Sequence, residues 1–132
     1  MPAERIAIAS EADIVTARQR GREAASECGL SATEQTLVAL AISEVARNIV
    51  TYAERGEIVI TPVSRRGRRG LQVVARDRGP GIPDVEAAMR DGYSTSKSLG
   101  MGLPGAKRLM DEFELDSAPG RGTTVTMTKW VR

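Results

Sequence analysis

The chain has no histidine, and only one cysteine, Cys28, among its 132 residues. Without histidine there is no His-based catalytic triad, no His-ligated zinc and no phosphohistidine relay within the chain. A single cysteine cannot form an internal disulfide. It points to a reducing compartment, and Cys28 reads as a helix-end residue rather than a nucleophile. Aromatic side chains are limited to Tyr52, Tyr93, Phe113 and Trp130, poor material for stacking bases. Charge of neither sign dominates, with 19 basic and 17 acidic residues and a formal net charge of +2, so no nucleic-acid partner is expected. There is no run of about 18 apolar residues, and no charged start leading into an apolar stretch. Neither a membrane span nor export is supported, and a cytoplasmic protein is expected.

What is present suits one domain covering residues 1–132, long enough to bury roughly two thirds of its unfolded surface. No repeat, low-complexity tract or linker interrupts it. Glu4 to Ala9 alternates like a strand, with Ile6 and Ile8 on one side. Ser10 offers an N-cap for a helix to about Cys28, which Gly29 closes. The Ser31-Ala32-Thr33-Glu34 stretch has the form of a capping box, and Leu37, Val38, Ala41, Ile42, Val45, Ile49 and Tyr52 carry the second helix to about Ala53. Glu57 to Val63 and Leu71 to Asp77 are β-rich and read as a hairpin. Its tip holds Arg65, Arg66, Arg68 and Arg69, either a solvated turn or a surface for an acidic protein.

Asp84 to Arg90 is predicted as a short helix, followed by a polar segment over 92–99. The next helix has Pro104 in its first turn. Leu103, Ala106, Leu109, Met110 and Phe113 recur at helical spacing and extend it to about Glu112. Glu114 to Ser117 and Thr123 to Val131 read as strands, turned by Pro119-Gly120-Arg121-Gly122. This order does not alternate strand with crossover helix, as a doubly wound parallel sheet requires. It predicts an α/β (α+β) two-layer sandwich: a mixed, mainly antiparallel sheet with helices on one face.

Four places invite chemistry. Glu44 and Asn48 are neighbours at i and i+4 on the second helix, on a stripe shared with Leu37 and Ala41. Turned inward, both need polar partners, and a Mg²⁺–phosphate group would supply them; an exposed helix edge is the alternative. Asp77-Arg78-Gly79-Pro80-Gly81 sets a carboxylate at the end of an apolar strand, able to accept from an exocyclic amine such as that of adenine, although such a sequence is also a common turn. Gly100, Gly102 and Gly105 in SLGMGLPGAKRLMD form a G-x-G-x-x-G pattern. No buried strand precedes it, so a dinucleotide fingerprint is not supported; a glycine loop entering a helix can still hold phosphate. Gly122-Thr123 places a hydroxyl after a small-residue turn, and a plain hairpin turn is the alternative.

In this order, Glu44/Asn48, Asp77-x-Gly79-x-Gly81, Gly100-x-Gly102 and Gly122-Thr123 resemble the N, G1, G2 and G3 boxes of the GHKL ATPases, which share the Bergerat ATP-binding fold. The resemblance implies that Asp77 binds the adenine amino group and Thr123 supports the same edge, while Gly79 and Gly81 shape the base pocket. Glu44 would be the general base, and Asn48 a ligand of the Mg²⁺ that bridges the ATP phosphates. The lid residues Lys97, Leu99, Gly100, Met101, Gly102 and Leu103 would wrap the phosphates; for Lys97, contact with a phosphate and solvent exposure are both open.

Histidine kinases need a phosphoacceptor histidine, and the large GHKL machines need further domains. The segments SEVARNIVTYA, DRGPGIPD and DGYSTSKSLGMGLPGAKRLMDEFEL are instead similar to bacterial partner-switching serine/threonine kinases of the RsbT type. That resemblance implies transfer of the ATP γ-phosphate to Ser or Thr of STAS-domain stressosome proteins, then release to activate an output protein, typically a PP2C-like phosphatase. An anti-sigma factor kinase of the SpoIIAB or RsbW type, and a binding module that holds ATP without transferring it, are the rival expectations.

Overall fold

Alternation of isoleucine with Arg5 and the small Ala7 makes β1 (Glu4–Ile8) one-sided, with Ile6 and Ile8 buried and Arg5 and Ala7 outward. The computed structural model describes residues 3–81, 89 and 102–132. After β1 come α1 (Glu11–Cys28) and α2 (Ala32–Tyr52), then β2 (Gly56–Arg65), β3 (Arg68–Asp77), α3 (Gly102–Leu109), β4 (Glu112–Ser117) and β5 (Thr123–Trp130). The expected short helix over 84–90 and polar segment over 92–99 lie outside the described residues, apart from Met89. No helix among the described residues is long and apolar enough to cross a membrane.

The helix ends follow the sequence signals. Gly29 closes α1 in the left-handed region at φ 101°. Asp13 reaches back to the Ala9 N–H at 2.8 Å, so the N-terminus of α1 is held by Asp13 rather than by the Ser10 side chain. At α2 the Ser31 hydroxyl accepts from Glu34 N–H and the Glu34 carboxylate accepts from Ser31 N–H, both at 3.2 Å, the reciprocal arrangement of a capping box. Cys28 is buried as the last residue of α1, and burial pushes its thiol pKa up, which suits the structural reading.

The strands pair in the order β1-β2-β3-β5-β4, and all four pairings are antiparallel. The expectation of a mixed, mainly antiparallel sheet thus resolves to a fully antiparallel one among the described strands. Register sorts the residues onto two faces. Ile58, Ala75 and Val125 share one cross-strand row, and Ile60, Val73 and Met127 the next. These buried rows pack under Ile14 and Ala17 of α1 and Val38, Ile42, Val45 and Ile49 of α2. Rows on the opposite face, such as Arg5, Val59, Val74, Thr126 and Glu114, carry exposed or half-buried side chains.

One boundary differs from the sequence reading. The helical spacing that ran through Phe113 to about Glu112 stops at Leu109, and Glu112 begins β4 opposite Thr128. Long-range partners outweigh local periodicity here. The buried Lys129 donates to the Leu109 carbonyl at 2.9 Å, the Asp111 N–H donates to Thr128 O at 3.0 Å, and Asp111 Oδ2 accepts from Trp130 N–H at 2.7 Å.

Candidate nucleotide site

The end of the sheet nearest the close of α2 carries a single cross-strand row: Ile8, Gly56, Asp77, Thr123 and Ser117, one residue from each strand. The row has the same parity as the buried apolar rows, so these side chains rise toward the helices. Gly56 leaves the space that Asp77 uses, since a Cβ there would lie 3.0 Å from both Asp77 Cβ and Ile49 Cγ2. Asp77 is 8% exposed and Thr123 6%, both polar groups that must be satisfied in a low-dielectric setting.

Their partners are only partly internal. Asp77 Oδ1 accepts from Gly79 N–H at 2.8 Å; among the described residues Oδ2 has no hydrogen-bond partner. Ser117 Oγ donates to Gly122 O at 3.1 Å and lies 2.8 Å from Thr123 Oγ1. A serine hydroxyl has one proton, so with that proton on Gly122 the Thr123 hydroxyl donates to Ser117 and keeps its own lone pairs free. Ser117 was not expected at the site. Its signal in the sequence was only its place at the end of a strand whose register the sequence does not state.

The turns around this row are fastened to each other. Gly120 N–H donates to Pro80 O at 2.7 Å. Gly81 at φ 80° faces the Ala118 carbonyl, and Gly122 at φ 78° faces the Asp77 carbonyl, each too closely for a Cβ. Gly79 packs on the end of α2, where an added Cβ would lie 2.6 Å from Ala53 Cβ. Gly122→Ala is expected to cost at least about 2 kcal/mol, from left-handed backbone strain plus displacement of the Asp77 carbonyl. A urea midpoint equal to that of the parent chain would contradict this packing.

Glu44 and Asn48 stand on α2, whose Ile49 borders the row at Gly56 and beyond whose end Ala53 packs on Gly79. Glu44 is 8% exposed and Asn48 is half-buried. Burial pushes the Glu44 carboxyl pKa above its ordinary 4.5, opposed in part by Arg47 and by the backbone N–H of Gly102 at the start of α3. Glu44 therefore faces the entrance of α3, as the inward stripe with Ala41 suggested. The Asn48 amide has no hydrogen-bond partner among the described residues. Leu103 is buried in the first turn of α3 and Gly102 is half-buried. Lys97, Leu99, Gly100 and Met101 lie outside the described residues.

Three comparisons bear on this geometry. The histidine kinase-like ATPase domain matches residues 8–129. Serine/threonine-protein kinase RsbT of Bacillus subtilis (strain 168) is 53% identical over 127 residues, covering 96% of each chain. The anti-sigma F factor of Caldanaerobacter subterraneus subsp. tengcongensis is 36% identical over 95 residues, 69% of this chain and 66% of that one. Among solved structures, a mycobacterial sensor histidine kinase, MprB, superposes with a TM-score of 0.58 at 15% identity and 99% coverage of both chains, a likeness of fold. The order of elements, the polar row beneath α2 and these matches agree: the chain belongs to the histidine kinase-like ATPase family, alongside the RsbT serine/threonine-protein kinase.

Proposed function

We propose that the protein is an ATP-dependent serine/threonine kinase that uses Asp77 and Thr123 to hold adenine and Glu44 as general base. The observation that carries this reading is the pair of open acceptors in one buried row. Asp77 Oδ2 has no internal donor among the described residues, and the Thr123 hydroxyl keeps its lone pairs open when the Ser117 proton goes to Gly122 O; both residues lie on the helix side of the sheet. Adenine's amino group, or a water beside it, would supply the missing donors. The RsbT relative supports phosphotransfer as the outcome of that binding.

In this reading Gly79 fixes Asp77 by its N–H, and the close approaches at Gly81 and Gly122 hold the pocket's outline. Gly102 and Leu103, with Lys97, Leu99, Gly100 and Met101, would supply backbone and side-chain contacts to the phosphates. Asn48 offers an amide oxygen to Mg²⁺, which when bound neutralises phosphate charge. No cluster of three His, Cys, Asp or Glu side chains suited to a metal occurs among the described residues; one amide together with phosphate oxygens and water fits a cation carried in by the nucleotide. Glu44 would take the proton from the attacking serine or threonine hydroxyl. Its raised pKa improves it as a base, provided that the carboxyl is ionised at working pH.

The substrate is proposed as a STAS-domain protein of a stressosome, with a PP2C-like phosphatase or another output protein bound after release, and the setting as the cytoplasm. The test is transfer of labelled γ-phosphate from MgATP to STAS-domain proteins of the same genome. Label is expected on serine or threonine, and Asn48→Leu should abolish the Mg²⁺ dependence of nucleotide binding. Tight nucleotide binding without transfer would replace the kinase with an ATP-dependent binding switch. Similarity to an anti-sigma factor favours a second reading at lower identity and coverage, and capture of a sigma subunit in the presence of ATP would support it.

A further inference from the structure

The arginine-rich hairpin tip lies at the end of β3 opposite Asp77. Arg68 and Asp77 are the two ends of that strand, about 30 Å apart at the usual rise per residue. The nucleotide reading therefore makes no use of it. Arg65 pairs with Arg68, which leaves Arg66 and Gly67 as a two-residue loop at φ 55° and φ 79°. Both values belong to the mirror-image turn that suits strand twist, in which asparagine or glycine is the favoured first residue. An arginine there is strained, and its guanidinium has no hydrogen bond or ion pair among the described residues.

Its neighbours are held in place. Arg65 bonds Glu112 at 2.8 Å and lies 4.7 Å from the centre of the Trp130 ring. Arg68 donates to Val131 O at 3.1 Å and lies 5.9 Å from the same ring. Arg132 bonds Asp111 at 2.6 Å. Together these groups border a surface cleft of about 540 Å³, with four arginines against two carboxylates. Fixed guanidinium groups lose little entropy when they bind a carboxylate.

We propose that this tip is a docking surface for a carboxylate-rich segment of a partner protein. Arg66 supplies the uncommitted charge, and Arg65 and Arg68 supply a pre-set positive wall. A protein fits better than a nucleic acid because Trp130, 6% exposed and covered by Arg65, offers no ring face for a base to stack on. The surface does not depend on the proposed reaction, and a partner bound there leaves the nucleotide row uncovered.

The experiment is a titration of the protein with a labelled short peptide of alternating glutamate and glycine, read by anisotropy. A labelled oligothymidylate serves as the second probe. The acidic peptide is expected to bind, with affinity falling at high salt. Arg66→Glu should weaken it about tenfold, the scale of one charged hydrogen bond, while MgATP affinity is unchanged. Arg66→Gly should also weaken it and at the same time raise the melting temperature, so loss of folding cannot explain the result. Arg55→Glu, an equal charge change at the far end of β2, should have little effect. The proposal is overturned if the peptide does not bind, if Arg66→Glu and Arg55→Glu act alike, or if oligothymidylate binds in preference.

Discussion

Glu44→Gln is expected to lower phosphotransfer by roughly 10²- to 10⁴-fold while MgATP binds as before. Glutamine keeps the shape and the accepting oxygen that faces the Gly102 N–H, but it cannot take a proton. Single-turnover transfer against calorimetric nucleotide affinity separates the two effects, and a variant that transfers at the parent rate would remove Glu44 from base catalysis. The same residue gives a pH signature. Transfer needs the ionised form, so its acid limb should have a midpoint above the ordinary glutamate value, because burial raises the Glu44 pKa. For stability the sign is opposite. Folding favours protonated Glu44, a contribution present below the unfolded carboxylate pKa and lost as pH rises through the folded one. Above the folded pKa the ionised carboxyl weakens the nucleotide-free fold, so in that range Glu44→Gln should melt at the same temperature as the parent or higher.

Asp77→Asn is expected to weaken ATP by about 2 to 4 kcal/mol, roughly 30- to 1000-fold. The reason lies in the hydrogen bond from Gly79 N–H to Oδ1. An asparagine keeps its carbonyl on Gly79 and so presents its amide NH₂ where Oδ2 was. Against the amino group of adenine, donor then meets donor. Inosine triphosphate, with a carbonyl at that position, should be penalised far less, and its affinity relative to ATP should rise in the variant. Equal losses for both nucleotides, measured by calorimetry, would mean that Asp77 acts on the shape of the pocket rather than on the base edge.

Local signals in the sequence located most of the elements, and the residues that escaped them are those fixed by distant partners. The Ser31–Glu34 capping box and the Gly29 stop are complete within a few residues, so both could be read directly. The inward stripe of α2 revealed Glu44 because a carboxylate set among Ala41, Val45 and Ile49 must find a polar partner or hold a proton. The end of α3 could not be read in this way. Phe113 continues a helical period, yet it belongs to β4 because Lys129, Thr128 and Trp130 of β5 capture the backbone and side chain around Asp111. Ser117 was hidden for the same reason, since its partnership with Thr123 exists only in the β4–β5 register. Asp77 and Thr123 were legible from the residues alone only as separate turn residues, and the family resemblance was what joined them; that they adjoin is a property of the β3–β5 pairing.

That pairing also bears on how the chain assembles. The β2–β3 and β4–β5 ribbons and the α1–α2 pair each close over short stretches of chain, whereas Asp77 meets Thr123 only when the two ribbons join. Contacts between distant segments form after local ones, because loop-closure entropy must be overcome first. The row proposed to hold adenine therefore lies on the seam expected to be completed late in folding. A nucleotide bridging Asp77 and Thr123 would act as a clasp on that seam, and it should slow separation of the two ribbons more than it slows fraying of either one.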